Sequence, residues 1–347
     1  MTVEELETLE PETLELPLSE LLRAHRNGFH LVVIERNTAE FLIHKVSLSG
    51  SDKALLKRLH QQFTQNGRLH ERAPVYIEVN VGGDAIKKEG RCFRVPLNFI
   101  GANTFGAPSQ LLTEDANYDA KLINFILRSV RDVSGAPTFS FVEEHGGGAS
   151  TLQRYISGLC GKKIGICIMD TDRKSPFADI CGITKQAITA RGESNWPLFD
   201  VVPLPCHELE NVVPHTVVST LNCAAGCEWN SKIPRIENWE RLGRKSENEA
   251  FWLFFDVKRG LSHVDVELLS EKEVAWVQPR LNVLGTLPAG WTYPGYGKSV
   301  VAQLLDNNRA LDAFRKAIRH SAWQRIFVQY FVNIIWVGAA SGIKLNT

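Results

Sequence analysis

Runs of apolar residues separated by polar turns divide the chain into an N-terminal, a central and a C-terminal part. In the N-terminal part, the apolar runs 30–34, 41–46 and 74–81 predict strands, and the periodic pattern of residues 52–66 predicts a helix. We therefore predict a small α+β N-terminal module at residues 23–100, in which no motif indicates a chemistry.

The central part alternates strands with helices, which is typical of a parallel sheet covered by helices. The predicted helices are 117–131 and 150–159, and the predicted strands are 109–113, 139–142, 163–169 and 199–204. We therefore predict an α/β fold with a parallel sheet flanked by helices, and we place this domain at residues 101–220.

The remaining residues, 221–347, predict a mixed and mostly helical region. Apolar runs at 250–256 and 274–277 favour strands, and periodic patterns favour helices at 298–307, 308–320 and 322–336. The apolar stretch 326–340 is shorter than the roughly 20 residues of a membrane span. It also contains Gln329 and Asn333, so we predict a buried helix and no contact with a membrane.

Residues 1–22 differ from the rest because the first 20 residues contain seven Glu and neither Lys nor Arg. This composition is the opposite of a signal or transit peptide, and it predicts a solvated acidic arm. Over the whole chain, 39 basic residues balance 39 acidic ones and 44% of residues are hydrophobic. The chain is thus a typical globular protein, and binding to nucleic acid would need a local basic groove or metal ions over an acidic site.

The cysteines favour a reducing, cytoplasmic environment. There are seven of them, an odd number, and several lie in apolar runs where a thiol behaves as a small hydrophobe. Cys223 and Cys227 have no second Cys or His pair nearby at zinc spacing. We therefore do not expect a structural zinc ion.

Acidic residues follow three of the predicted central strands. Glu114 follows the first strand, Asp170 and Asp172 follow the third, and Glu208 and Glu210 follow the fourth. In an open parallel sheet, the carboxyl ends of the strands form the ligand site, so these acids should converge. An oxygen-only cluster suits Mg2+ or Mn2+, which predicts a metal-dependent phosphodiester or phosphoryl-transfer centre.

Each piece of this pattern also has a purely structural interpretation. Asp170 and Asp172 are residue types that cap helices and form turns, and either Glu208 or Glu210 could stabilise a helix N-terminus. The ordered combination of a strand ending in Glu, a Gly-rich turn and a strand ending in Asp-x-Asp is more specific than either piece alone. The chemical interpretation is therefore favoured.

These residues resemble the Toprim domain shared by topoisomerases, primases and OLD-type nucleases. The resemblance covers roughly residues 104–215 and depends on Leu111-Leu-Thr-Glu114, Asp170-Thr-Asp172 and His207-Glu-Leu-Glu-Asn211. The last segment is most similar to the nuclease branch. The chain departs from the common pattern because Asp115 replaces a Gly and the next acid, Asp119, lies five residues after Glu114 instead of four.

The resemblance implies a role for each acid. Glu114, Asp170, Asp172 and Glu210 would be catalytic, and Glu114, Asp170, Asp172 and Glu208 would bind Mg2+ or Mn2+. In a two-metal arrangement, these ions would stabilise the attacking water and the leaving oxygen.

Three further residues are candidates for binding the substrate. The Gly146–Gly148 turn, and Gly147 in particular, would let a phosphate approach the following helix, with an ordinary turn as the alternative. Arg173 and Lys258 are candidate contacts to backbone phosphates, with solvated surface residues as the alternative.

Domains and motifs that are not evident in this sequence distinguish between the branches of the family. The chain has no evident nucleophilic Tyr domain, no zinc-binding domain, and no P-loop, since the Gly-Lys-Ser of 297–299 has Thr292 where the first Gly should be. The resemblance then implies a stand-alone Toprim endonuclease, similar to the toxic effectors of bacterial antiviral defence that work with a separate ABC-type ATPase.

Three functions remain open from the sequence. The first is a hydrolase that cleaves DNA or RNA, including tRNA. The second is a catalytically degenerate Toprim module that serves as a binding or regulatory subunit. The third is a phosphatase with Asp170 as nucleophile, which is disfavoured because that chemistry normally follows the first strand of its domain. The oligomeric state is left open.

Overall fold

The computed structural model describes residues 1–221 and 228–341. The N-terminal part is mostly helical and ends in a small three-stranded sheet with the order β1-β3-β2. Its elements are α1 (Val3–Leu6), α2 (Pro11–Arg26), α3 (Arg36–Lys45), α4 (Gly50–Asn66), α5 (Leu69–Arg72), β1 (Tyr76–Asn80), β2 (Lys87–Glu89) and β3 (Cys92–Pro96). The predicted helix 52–66 and strand 74–81 are confirmed as α4 and β1.

Two predictions for this part were wrong. Residues 41–46 lie mostly in α3, which buries Thr38, Ala39 and Leu42 against α4, and residues 30–34 form no strand. A short apolar run does not distinguish a strand from a helix, because both bury such a run against a neighbouring element.

The acidic segment is not a solvated arm. It forms α1 and the first part of α2, and the apolar side chains of these helices are buried at Leu6, Leu14, Leu18 and Leu22. The last three recur every four residues, which places them on one helix face, while the glutamates lie mainly on the exposed side. An amphipathic helix with its glutamates on the exposed side was therefore wrongly predicted as a solvated arm.

The central part is a four-stranded, all-parallel sheet with the order β5-β4-β6-β7, flanked by helices. Its elements are β4 (Ser109–Thr113), α6 (Asp119–Ser134), β5 (Phe141–His145), α7 (Thr151–Cys160), β6 (Gly165–Met169), α8 (Gly182–Glu193) and β7 (Phe199–Pro203). The predicted α/β class and parallel sheet are confirmed. The second strand lies slightly later than predicted, so that it includes Glu143 and Glu144.

The described residues of the C-terminal part are mostly helical, as predicted, and they pack on one side of the sheet. Their elements are α9 (His215–Val218), α10 (Trp229–Leu242), α11 (Phe251–Phe254), β8 (Gly260–Ser262), α12 (His263–Glu267), α13 (Glu271–Asn282), β9 (Thr292–Pro294), α14 (Val300–Leu305), α15 (Asn308–Ile318) and α16 (Ser321–Val337). The strands predicted at 250–256 and 274–277 were wrong, because these apolar runs are buried in α11 and α13.

Alternate residues of the central strands enter two different hydrophobic cores. Leu111 and Ile166 pack with α6 and the C-terminal helices, whereas Leu112 and Cys167 pack with α7, α8 and the N-terminal helices. This follows from the two-residue period of a strand, which points successive side chains to opposite faces. The central sheet is thus the layer on which the other parts are packed.

The predicted C-terminal helix is confirmed as α16, which packs along α6 and buries Phe327, Phe331, Ile334 and Ile335. Within the described ranges, none of the helices is both long and apolar enough to cross a bilayer. The predicted domain boundaries and the cytoplasmic location remain predictions.

Candidate functional site

Acidic residues from three strand ends lie at one edge of the central sheet. Glu114 directly follows β4 and Asp170 directly follows β6, and these two strands are hydrogen-bonded neighbours. β7, next to β6, leads into the segment that carries Glu208 and Glu210. We call Glu114, Asp119, Asp170, Asp172, Glu208 and Glu210 the carboxylate cluster.

Burial and repulsion between neighbouring carboxylates act on several members of the cluster. Burial raises the pKa of Glu114, and the nearby Asp119 and Asp172 raise it further. Burial and Glu210 raise the pKa of Asp170 well above its ordinary value, although this side chain keeps some accessible surface. Like charges in a poorly solvated space disfavour ionisation, so the cluster favours uptake of positive charge.

The loop after β6 is held by hydrogen bonds on both sides. The Asp170 carboxylate accepts the Leu209 N–H at 3.0 Å, and the Asp170 carbonyl accepts the Thr184 hydroxyl at 2.8 Å. Asp172 has a left-handed backbone with φ of 52°, and its N–H donates to the His207 carbonyl at 2.9 Å. The loop therefore keeps Asp170 next to the segment after β7 and leaves Asp172 exposed.

Asn211 shapes the segment after β7, a role that the sequence analysis did not identify. Its Oδ1 accepts the Glu208 N–H at 3.0 Å, and its Nδ2 donates to the carbonyls of Trp252 at 2.6 Å and Phe255 at 2.7 Å. This buried amide ties the short 3-10 helix Leu209–Val212 to α11. Glu208 and Glu210 are thereby held with their side chains 7% and 5% exposed.

Lys258 is the cation that the C-terminal part contributes to the cluster. Its Nζ lies 2.8 Å from Glu208 Oε2 and 3.2 Å from Glu210 Oε2. Burial lowers the pKa of Lys258, but the nearby Glu210, Glu208 and Asp170 raise it by more. The pKa of Lys258 therefore lies above its ordinary value, and the lysine is charged. Despite this ammonium group, burial and Glu208 raise the pKa of Glu210 to about 7.

The Gly-rich turn uses its backbone N–H groups to position Glu114 and does not offer them to a phosphate. The N–H of Gly146 donates to the Thr113 carbonyl at 2.8 Å, and the N–H of Gly147 donates to the Glu114 carbonyl at 2.9 Å. Gly147 needs its φ of +78°, and a Cβ at Gly146 would lie 2.3 Å from the Thr151 hydroxyl. Two of the amides expected to approach a phosphate are therefore already used within the turn.

Arg173 lies against an aromatic ring and does not extend freely into solvent. Its guanidinium is 5.5 Å from the centre of the Phe254 ring, and its buried Nε has no hydrogen-bond partner in the described part of the chain. Burial lowers the pKa of Arg173. Among the three predicted substrate-binding residues, Lys258 places a charged side chain against carboxylates of the cluster.

Asp119, whose role was in doubt from its spacing, belongs to the cluster. It opens α6, and its carboxylate accepts the Asp115 N–H at 3.0 Å. Burial raises the pKa of Asp119, and Asp115 and Glu208 contribute to that increase. The turn between β4 and α6 therefore places Asp119 close enough to Glu208 for the two charges to interact.

A second group of side chains adjoins the cluster. His207, Glu208 and Asp256 have donor atoms within 4.8 Å of one another, so they could hold a metal ion. A separate cavity, of about 360 Å³, lies elsewhere, between His263, Gln278 and Trp291, and none of the cluster's residues lines it. That cavity therefore contributes nothing to the chemistry of the carboxylates.

Comparisons with known proteins give no relative for this chain: no family model, no curated protein and no solved structure matches it. Cys223 and Cys227, for which we did not expect zinc, lie outside the described residues.

Proposed function

We propose that this protein is a metal-dependent nuclease of the Toprim type that cleaves phosphodiester bonds in DNA or RNA. The observation that carries the proposal is the convergence of carboxylates from three strand ends, at an edge where burial and mutual repulsion raise their pKa values. Such a cluster is costly to assemble unless it binds cations.

The donor set fits Mg2+ or Mn2+. The groups are carboxylate oxygens, and the buried Glu208 Oε1 and Glu210 Oε2 accept no hydrogen bond from the described residues, although Lys258 lies close to the latter. Glu114, Asp170 and Asp172 would hold an ion, with Glu208 next to them. When bound, such an ion supplies a Lewis acid that activates water and stabilises negative charge on phosphate oxygens.

The chain's own residues would share the remaining work. Glu114, with its raised pKa and partial exposure, is the candidate for moving the proton of the attacking water. Lys258 holds positive charge at the floor of the site, where an anionic substrate would bind. Asp172, at the exposed end of its loop, lies where the substrate enters.

The test is cleavage of plasmid, single-stranded DNA and total RNA in Mg2+, Mn2+ or EDTA by the full-length chain. We expect metal-dependent cleavage that Glu114→Gln lowers by at least about 100-fold, the usual contribution of a general acid or base. Glu143→Gln is the matched control, because Glu143 is an exposed carboxylate on the adjacent strand β5. Equal cleavage by wild type and a folded Glu114→Gln protein would contradict the proposal.

One observation favours a second function, a degenerate Toprim module that acts as a binding or regulatory subunit. Lys258 already neutralises part of the charge of Glu208 and Glu210, as an internal cation would in a site that has lost its metal. Thermal melting with Mn2+ distinguishes the two functions, because a ligand that binds only the folded state raises Tm. A nuclease should be stabilised by Mn2+ and its Asp170→Asn variant should not, whereas a degenerate module should show no stabilisation.

The biological setting remains a proposal from the resemblance. A stand-alone Toprim effector in antiviral defence would be held inactive or released by a separate ABC-type ATPase. An isolated chain that binds Mn2+ but does not cleave would be consistent with a nuclease that waits for such a partner.

A further inference from the structure

His207, Glu208 and Asp256 form a compact group that extends from the carboxylate cluster toward the C-terminal part. His207 and Glu208 follow β7, and Asp256 follows α11, so the group joins two segments that are distant in sequence. Their donor atoms lie within 4.8 Å of one another. His207 and Glu208 are buried, and the side chain of Asp256 is 16% exposed.

His207 is oriented so that one ring nitrogen faces this group. Nδ1 lies 3.0 Å from the Arg173 carbonyl, which can only accept, so Nδ1 carries a hydrogen. Nε2 lies 3.8 Å from Asp256 Oδ2, which is too long for a hydrogen bond. A histidine held through one nitrogen by a carbonyl, with the other nitrogen facing carboxylates, has the orientation typical of a metal ligand.

The two carboxylates are held in the same manner, each through one oxygen. Asp256 Oδ1 accepts the Arg259 N–H at 2.7 Å, while its Oδ2 faces His207. Glu208 Oε2 pairs with Lys258, while the buried Oε1 has no hydrogen-bond partner among residues 1–221 and 228–341. An unpaired buried carboxylate oxygen is costly, and a bound cation would remove that cost.

His207 and Asp256 therefore each have one atom fixed by the protein and a second atom that faces the other residue. Glu208 adds a buried oxygen that has no hydrogen-bond partner in the described part of the chain. We propose that His207, Glu208 and Asp256 bind a transition-metal dication at a site of their own, beside the carboxylate cluster. The imidazole nitrogen makes Zn2+ a better fit than Mg2+ or Mn2+, which prefer oxygen ligands.

The test is a calorimetric titration of the full-length protein with Zn2+ in excess Mg2+, which keeps oxygen-only sites occupied. We expect wild type to bind one equivalent, and His207→Gln or Asp256→Asn to weaken binding at least as much as the roughly 10–100-fold loss that follows removal of an outer-shell partner. His60→Gln is the matched control, because His60 is a partly exposed histidine that also faces a carboxylate, Glu40. It should bind Zn2+ like wild type.

X-ray absorption of the Zn2+-loaded wild-type protein avoids the risk that a variant fails to fold. We expect an imidazole nitrogen at about 2.0–2.1 Å from the zinc and no sulfur ligand. Sulfur at about 2.3 Å would place the ion at cysteines and would contradict the proposal, as would absence of binding or unchanged affinity in a folded His207→Gln protein. The site does not depend on the nuclease proposal, because Glu114→Gln should abolish cleavage and keep Zn2+ binding.

Discussion

Lys258 shows how a single residue controls the balance of charge at the site. Replacing it by Met leaves Glu208 and Glu210 buried without their cation, and we expect a loss of about 3–5 kcal/mol in the free energy of unfolding at pH 7. The loss should be smaller at pH 5, because the carboxyl group of Glu210, whose pKa is raised to about 7, becomes neutral as pH falls below that value.

Urea unfolding at both pH values measures this effect. Lys174→Met is the matched control, since Lys174 pairs with Asp265 at an exposed position and should lose at most about 1 kcal/mol. A loss for Lys258→Met that does not change with pH would mean that the carboxylates are not its source.

His25 makes a second prediction at the residue scale. It is buried, and its Nδ1 accepts the Val32 N–H at 3.1 Å, so the folded state requires the neutral ring. Burial and Arg58 lower the pKa of His25 from 6.5 to about 4. The unfolded chain therefore binds more protons between these values, and the stability contributed by His25 is complete above pH 6.5 and decreases as pH falls toward 4.

We expect His25→Gln to reduce this acid destabilisation by on the order of 2–3 kcal/mol at pH 4. Chemical unfolding from pH 7 to pH 4 measures it, with His60→Gln as the control because His60 is not buried. An unchanged pH dependence in His25→Gln would show that this histidine is not a source of acid sensitivity.

At the scale of elements, the contact between β4 and β6 places Glu114 and Asp170 side by side. Gly165 at the start of β6 lies so close to β4 that a Cβ would be 2.2 Å from the Gln110 carbonyl oxygen. Gly165→Ala should therefore separate the two strands and lower the free energy of unfolding by about 3 kcal/mol or more.

Gly192→Ala in α8 is the matched control, because nothing lies within 4 Å of its added methyl group. Alanine there should stabilise the helix by about 0.4–1 kcal/mol. Thermal melting of both variants gives the comparison. Equal stability of Gly165→Ala and wild type would mean that the strands can separate without cost.

At the scale of the whole molecule, α16 connects the C-terminal part to the sheet. The Trp323 Nε1–H donates to the Val212 carbonyl at 2.9 Å, and the Tyr330 hydroxyl donates to the Val202 carbonyl at 3.3 Å. Phe331 is fully buried in the core that also contains Leu111 and Ile166. Because the sheet and the C-terminal helices share one core, we expect them to unfold together.

Phe331→Ala should cost about 3–5 kcal/mol and should reduce amide protection in β4, β6 and α16 equally. Hydrogen exchange followed by mass spectrometry measures this, with Gln329→Ala as the control because Gln329 is exposed on the same helix. Loss of protection in α16 alone would show that the C-terminal helices are an independent unit.

The sequence by itself determined the parallel sheet and the acids at its edge. β4, β6 and β7 are apolar runs of strand length followed by acidic residues, so local patterns were sufficient to predict Glu114, Asp170 and Asp172 at strand ends. The same local rules failed for α3, α11 and α13, where an apolar run is compatible with either a strand or a buried helix. They also missed the amphipathic helix in the acidic segment.

Only the tertiary structure decided which residues meet the acids. Lys258 and Asp256 reach Glu208 and His207 because Asn211 ties the segment after β7 to α11, and nothing in the neighbouring sequence encodes that contact. Hydrophobic periodicity depends on residues a few positions apart, whereas the partners of a buried charge depend on how distant segments pack. The carboxylates could therefore be predicted, but their cation and their histidine could not.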